Sequence, residues 1–134
     1  MKASITKSQN ALIHALIAQL EIKEQKANLI NAYTSNRTAS TAEMTFNEAI
    51  ALIKALQEDK KKQLGKMQGK IIGYMKLMGY VVDSGLEDLK RINNFIINIG
   101  TNNPRKAELW YLRKSELIKV LNQVEQRYKT QVQQ

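Results

Sequence analysis

One histidine, His14, no cysteine and twelve carboxylates are all that this 134-residue chain offers for metal or acid–base chemistry. A metal site needs several His, Cys or carboxylate ligands converging on one point, and His14 has no second imidazole or thiolate to join it. On a helical wheel it lies well away from the stripe formed by Leu12, Leu16 and Leu20, so it is expected on the surface. The carboxylates have structural readings. Glu87-Asp88 falls in the first turn of an expected helix, where negative charge favours the macrodipole. Glu58-Asp59 borders and tempers a lysine run, and Glu43 and Glu48 belong to a helix cap. No Walker-type loop, GxSxG elbow or HExxH helix occurs. The reading is no catalytic residues, no cofactor, no metal, no small-molecule substrate and no enzyme. A small hydrolase would require a concave pocket with converging polar groups, which nothing here foreshadows.

The cations are the stronger signal. The formal net charge is +9. Residues 1–50 hold five basic and four acidic groups, a net of +1; residues 51–80 hold seven and two, a net of +5; residues 81–134 hold nine and six, a net of +3. More than half the excess therefore sits in thirty residues that contain Lys60, Lys61, Lys62, Lys66, Lys70 and Lys76. Such a patch attracts phosphate, anionic lipid or an acidic protein surface, and its bland reading is a solvated helix face. Arg105, Lys106, Arg113 and Lys114 form a possible second set. Arg91-Ile92-Asn93-Asn94 is the nearest thing to a groove-reading row of side chains. Trp110-Tyr111, flanked by Arg113 and Lys114, suits base stacking, although a lone Trp beside Leu109 and Leu112 more often anchors a loop to the core.

Helices must position these groups. Ser8 is expected to cap a first helix over roughly 9–21, with Leu12, Ile13, Leu16, Ile17 and Leu20 as its apolar residues. A shorter helix from about Lys23 to Tyr33 would bury Ala27, Ile30 and Tyr33. Residues 34–41 read as a polar loop, because short hydroxyl and amide side chains compete for backbone hydrogen bonds. Thr45-Phe46-Asn47-Glu48 is a capping box opening a helix with apolar residues Phe46, Ala49, Ile50, Ile53 and Leu56. Gln57 to Gln63 is wholly polar. Beyond it the stripe resumes through Leu64, Met67, Ile71, Tyr74, Met75 and Met78, as one long helix or as two divided near Gly65. Gly79 suits its C-terminal end. Gly65, Gly69 and Gly73, four apart, imply a tight internal packing groove or a kink, at about 1 kcal/mol of lost propensity per glycine, against an intermolecular contact. Asp83-Ser84-Gly85 is a turn in which Asp83 or Ser84 caps a helix of about 86–99, packed through Leu89, Ile92, Phe95, Ile96 and Ile99 and stopped by Gly100. After a loop at 101–104, a final helix over about 113–130 puts Leu117, Val120, Leu121, Val124 and Tyr128 on one side. Gly79 to Val82 is at most a short extended piece, and the Gln-rich end, 131–134, is expected to fray.

The fold class is thus all-α, five or six helices in two packed lobes with little or no β structure, in a single domain over 1–134. An N-terminal lobe covers about 8–57, a basic junction 58–66 and a C-terminal lobe about 67–130. The absence of cysteine fits a reducing cytoplasm. No stretch reaches the roughly 18 apolar residues of a membrane span. The opening twenty residues place a lysine before apolar ones, but Ser8, Gln9, Asn10, His14 and Gln19 interrupt them and no small-residue cleavage site follows. They read as a mature helix rather than a signal peptide.

The order of these features resembles the GemA-like family of phage Mu-type regulatory proteins, also found in prophages. The matching residues begin with Ile13-His14 and Gln19-Leu20. They continue through Asn36-Arg37-Thr38-Ala39-Ser40 and Glu43-Met44-Thr45 into Glu48-Ala49. A second block is Met67-Gln68-Gly69-Lys70-Ile71-Ile72, then Leu77-Met78-Gly79-Tyr80 and the aliphatic final helix. The resemblance runs from about Ser8 to Tyr128, except between Gly100 and Leu112, where the family's pattern is not matched. It implies an early phage or prophage protein, in the cytoplasm of a bacterial host, that affects host gene expression through DNA topology. It carries over no catalytic residues.

Two functions follow as expectations. One is a DNA-associated regulatory protein with Lys60, Lys61, Lys62, Lys66 and Lys70 facing phosphates, and Arg105, Lys106, Arg113 and Lys114 as a second set. The other is a module that captures a host replication or transcription factor through an exposed helix face, without direct DNA contact.

Overall fold

The computed structural model describes residues 3–80, 86–100 and 102–132; the side chains of Leu86 and Glu87 fall outside the description. Five α-helices occur among these residues: α1 (Lys7–Leu20), α2 (Lys26–Tyr33), α3 (Phe46–Leu77), α4 (Leu86–Ile97) and α5 (Lys114–Val132), with no strand beyond one isolated bridge between Ser4 and Thr45. The fold is all-α. The chain divides into two compact units, Met1–Lys62 and Gln63–Gln134. The expected Asp83-Ser84-Gly85 turn and its cap lie outside the described residues, as do Val81, Val82, Thr101 and the last two glutamines.

In the first unit, α1 starts two residues earlier than Ser8 would place it. Thr6 is the cap: its hydroxyl accepts from the Gln9 N–H at 3.1 Å, and the Gln9 side chain accepts from the Thr6 N–H at 3.0 Å. This reciprocal box satisfies two backbone donors, which a lone Ser8 hydroxyl would not. Gln9 also donates to the Phe46 carbonyl at 3.2 Å, and the Ile5 and Phe46 amides pair with Met44 and Ala3. These bonds fix the start of α1 against the start of α3. Thr45 and Glu48 form the expected capping box (2.8 and 3.2 Å). The Thr34 hydroxyl hydrogen is shared between the carbonyls of Ile30 (2.8 Å) and Thr38 (3.0 Å), which holds the polar loop at 34–41.

The core of this unit is Ile13, Leu16, Ile17, Leu20, Ile30, Met44, Ala49, Leu52 and Leu56. Four assignments change. Leu12 is 38% exposed, because the buried stripe of α1 runs through Ile13 and Ile17. Ala27 is exposed, since residues 23–25 form a separate 3-10 turn that resets the phase of α2. Phe46 and Ile50 are 39% and 47% exposed while Leu52 is buried. Apolar residues occur all round this stretch of α3, so periodicity alone leaves its inward face ambiguous.

The second unit is built on Leu64, Ile71, Met75, Ile92, Ile96, Leu109, Leu112, Leu117, Val120 and Val124. Here α5 runs alongside residues 63–77 of α3 in the same direction. Lys114 meets Gln63, Leu121 and Glu125 border Gly73 and Leu77, and the rings of Tyr128 and Tyr74 lie 5.4 Å apart. α3 is one uninterrupted helix. Its polar 57–63 run consists of strong helix formers, and Gly65, Gly69 and Gly73 do not break it. It ends in a Schellman motif: the Tyr80 and Gly79 amides donate to Met75 and Lys76 carbonyls (2.9 and 3.1 Å), with Gly79 at φ +89°. A Cβ added at Gly65, Gly69 or Gly73 would meet nothing within 4 Å. The expectation of a tight internal groove is therefore overturned: among the described residues nothing lies in contact distance of a Cβ placed there.

Gln68 is 5% exposed, and its amide nitrogen has no hydrogen-bond partner among the described residues. A buried donor left unpaired costs about 1–3 kcal/mol. Gln68→Met, close in volume, should therefore raise the free energy of unfolding by about 1 kcal/mol in urea denaturation; a loss of stability would mean that the amide is satisfied.

Candidate nucleic-acid interface

The five lysines of the first set all belong to α3. Lys60 is half-buried and Lys61 and Lys62 are exposed at the end of the first unit; Lys66 and Lys70 are exposed in the second. None of the five makes an ion pair among the described residues, and neither do the exposed Glu58 and Asp59 beside them. The acidic pair lowers the local field without binding the ammonium groups. In the second unit Gln63, Lys66 and Lys70 follow one another at three- and four-residue spacing on one face of α3. The Lys114 ammonium joins them by donating to the Gln63 side-chain Oε1 at 3.3 Å, a neutral partner that leaves its charge uncompensated. Gly69 and Gly73 keep this surface low, so a bound partner can approach the helix backbone closely.

The second set divides. Arg105 is bound by its own fold: its Nε and Nη2 donate to the two Glu116 carboxylate oxygens (2.8 and 2.6 Å), and Nη2 also reaches the Tyr111 carbonyl at 3.2 Å. Glu116 accepts in addition from the Arg113 N–H at 2.7 Å, capping the first turn of α5. Arg105 thus ties the 103–112 segment to α5. Lys106, at φ +54°, and Arg113 are exposed. The hydrogen bonds from Arg105 hold the Glu116 carboxyl below the ordinary carboxylate range, against the opposing effect of burial. A depressed carboxylate contributes stability above its unfolded-state pKa, near 4.3, and loses it as pH falls through the folded value. Unfolding free energy should therefore drop below about pH 4.5. Because the Arg105 side chain is 39% exposed, Glu116→Gln should cost only about 1 kcal/mol at pH 7 and flatten that acid limb. An unchanged acid limb in pH-dependent urea melts would remove the pair from the account.

Arg91 to Asn94 do not form a reading row. Ile92 and Asn93 are buried, and the Asn93 side-chain Oδ1 accepts from the Leu109 N–H at 3.0 Å. Arg91 instead donates to the buried Asp88 at 3.0 Å. Leu109 and Leu112 are the fully buried residues of the 109–112 segment, while Trp110 and Tyr111 are 41% and 68% exposed. With three residues per turn, the 3-10 turn at Leu109–Tyr111 puts Leu109 and Leu112 on one inward side, and the Leu109 N–H is held by Asn93.

The second unit also holds a cleft of about 430 Å³ that sequence reasoning missed. Arg91, Asn94, Phe95 and Asn98 contribute from one face of α4, and Tyr80 and Arg127 complete the lining beside Phe95. The i, i+3, i+4, i+7 spacing of the α4 residues was visible in the sequence. The pairing with Arg127, more than thirty positions away, was not. In the first unit His14 is exposed as expected, with its Nε2 3.4 Å from the Thr41 hydroxyl at a small pocket bordered by Lys23 and Lys26. Partial burial, and then the Lys26 charge, lower its pKa. Among the described residues no cluster of three His, Asp or Glu could hold a metal ion, and no helix is long and apolar enough to cross a membrane.

The chain matches no protein-family model, no curated protein and no solved structure.

Proposed function

We propose that this chain is a DNA-associated regulatory protein of the GemA-like kind, acting in the cytoplasm of a bacterial host and holding duplex DNA through its phosphates. One observation carries the reading: Lys61, Lys62, Lys66 and Lys70 stand exposed on a single helix, and among the described residues no carboxylate is bound to any of them. Ammonium groups are point charges that neutralise phosphates without reading bases, so the binding is indifferent to sequence. Four such contacts would make log affinity fall linearly with log salt at a slope of about −3.6. A gel-shift series on a mixed-sequence duplex from 50 to 300 mM salt measures that slope. No shift at the lowest salt would overturn the proposal.

A second reading has its own observation. Gly73, Tyr74, Leu77 and Leu121 line a groove of about 370 Å³ between α3 and α5, with Leu77 65% exposed. Uncovered apolar surface of this kind marks protein contacts. Capture of a host DNA-handling protein that Leu77→Glu abolishes, without any duplex shift, would favour this reading over the first.

A further inference from the structure

We propose that the cleft between α4 and α5 binds a nucleotide, a single base together with its phosphate. This goes beyond phosphate-backbone contact, and the residues involved are not the lysines of α3. The chemistry of the lining selects the ligand class. Tyr80 and Phe95 stand edge to face, with ring centroids 5.3 Å apart, and supply an aromatic wall. The Arg127 guanidinium lies 4.9 Å from the Phe95 ring centre. Held there, it offers a planar surface on which a base can stack and N–H donors that suit a phosphate. Arg91 adds a second guanidinium. Its Nη1 is taken by Asp88 at 3.0 Å, but the fork retains further donors. Among the described residues no carboxylate lines the cleft, so it favours an anion.

The amides narrow the choice from any anion to one carrying a polar heterocycle. Asn98 donates through Nδ2 to the Asn94 carbonyl (2.8 Å) and to Asn94 Oδ1 (3.2 Å). Among the described residues, the Asn94 amide nitrogen and the Asn98 side-chain carbonyl have no other partner. A neighbouring donor and acceptor is the complement of a base edge, the arrangement by which unstacked bases are recognised. A volume of about 430 Å³ also lies in the range of small-ligand sites.

The nucleotide could come from the free pool or from a single strand, and two probes separate these sources. Adenosine 5′-monophosphate and a fluorescent twelve-residue oligothymidylate would be titrated into the full chain at 150 mM salt. The proteins would be wild type, Asn94→Asp, Arg127→Ala and the Lys61→Glu/Lys62→Glu double variant. Asn94 and Arg127 are exposed, so folding should survive both changes, with melting curves as the check. The expected result is at least tenfold weaker binding of the oligothymidylate to Asn94→Asp and Arg127→Ala, with duplex affinity within twofold of wild type. Displacement of the oligothymidylate by the mononucleotide assigns the cleft to free nucleotides; retention assigns it to strands. Oligothymidylate binding that is absent, indifferent to both cleft variants, or lost in step with duplex binding overturns the inference. If duplex binding fails in every protein while the cleft variants still discriminate, the α3 proposal falls and this one stands.

Discussion

Replacing Asn103 with alanine should lower the free energy of unfolding by about 3 kcal/mol and the melting temperature by roughly 10 °C. Asn103 is 1% exposed in a loop between α4 and α5, and its amide organises that loop from inside. Nδ2 donates to the carbonyls of Ile96 and Ala107, each at 2.8 Å, while Oδ1 accepts from the Ala107 N–H at 3.1 Å. Its backbone carbonyl accepts from the Lys106 N–H at 3.1 Å, closing a turn with Pro104 in second position. Alanine would strand one buried and two half-buried backbone groups, each worth about 1–3 kcal/mol when unpaired, and water entering the gap would recover part of that. Chemical denaturation of the two proteins measures the difference. A loss below 1 kcal/mol would mean that solvent already reaches these groups. The loop also carries Arg105, so the damage should extend to the Glu116 clamp on α5.

The largest functional effect is expected at Lys61 and Lys62. Reversing both to glutamate takes the net charge from +9 to +5 and should weaken duplex binding about 60-fold at 0.1 M salt. Each phosphate contact is associated with release of roughly 0.9 counterion, or about 0.9 log units at 0.1 M relative to 1 M, and two contacts are removed. The slope of log affinity against log salt should become shallower by about 1.8 for the same reason. Both side chains are exposed and unpaired among the described residues, so the melting temperature should stay within about 2 °C. A variant that loses affinity without losing slope would indicate unfolding or an indirect effect rather than lost phosphate contacts.

Local chemistry was legible in the sequence wherever one residue acts on its neighbours. The Thr45–Glu48 box and the left-handed Gly79 terminus depend on contacts within five positions, and both stand as read. Thr6-Lys7-Ser8-Gln9 carries the same kind of box, yet Ser8 masked it by lying closer to the apolar stripe. The inward face of α3 was harder, because Phe46, Ala49, Ile50, Leu52, Ile53 and Leu56 place apolar residues on nearly every side, and only packing selects Ala49, Leu52 and Leu56. Whether α3 was one helix or two turned on a polar run whose residues bury almost nothing, so periodicity gave no information there. The lysine patch was plain from charge counts alone. Its composition as a site was not: Arg105 looked equivalent to Arg113 until the fold brought Glu116, eleven residues away, against it. Asn103 looked like an ordinary solvated loop residue for a similar reason, since its partners lie up to seven positions off and its burial is a property of the whole unit.

The most direct test of the central claim is an amide NMR titration of the isotope-labelled full chain with a short mixed-sequence duplex at low salt. The account predicts that shifts concentrate on α3 from Lys60 to Lys70 and on Lys114, with the Arg105–Glu116 clamp unmoved, and that 0.3 M salt reverses them. Shifts centred instead on the apolar groove around Leu77 and Leu121, or none at all at saturating duplex, would contradict it.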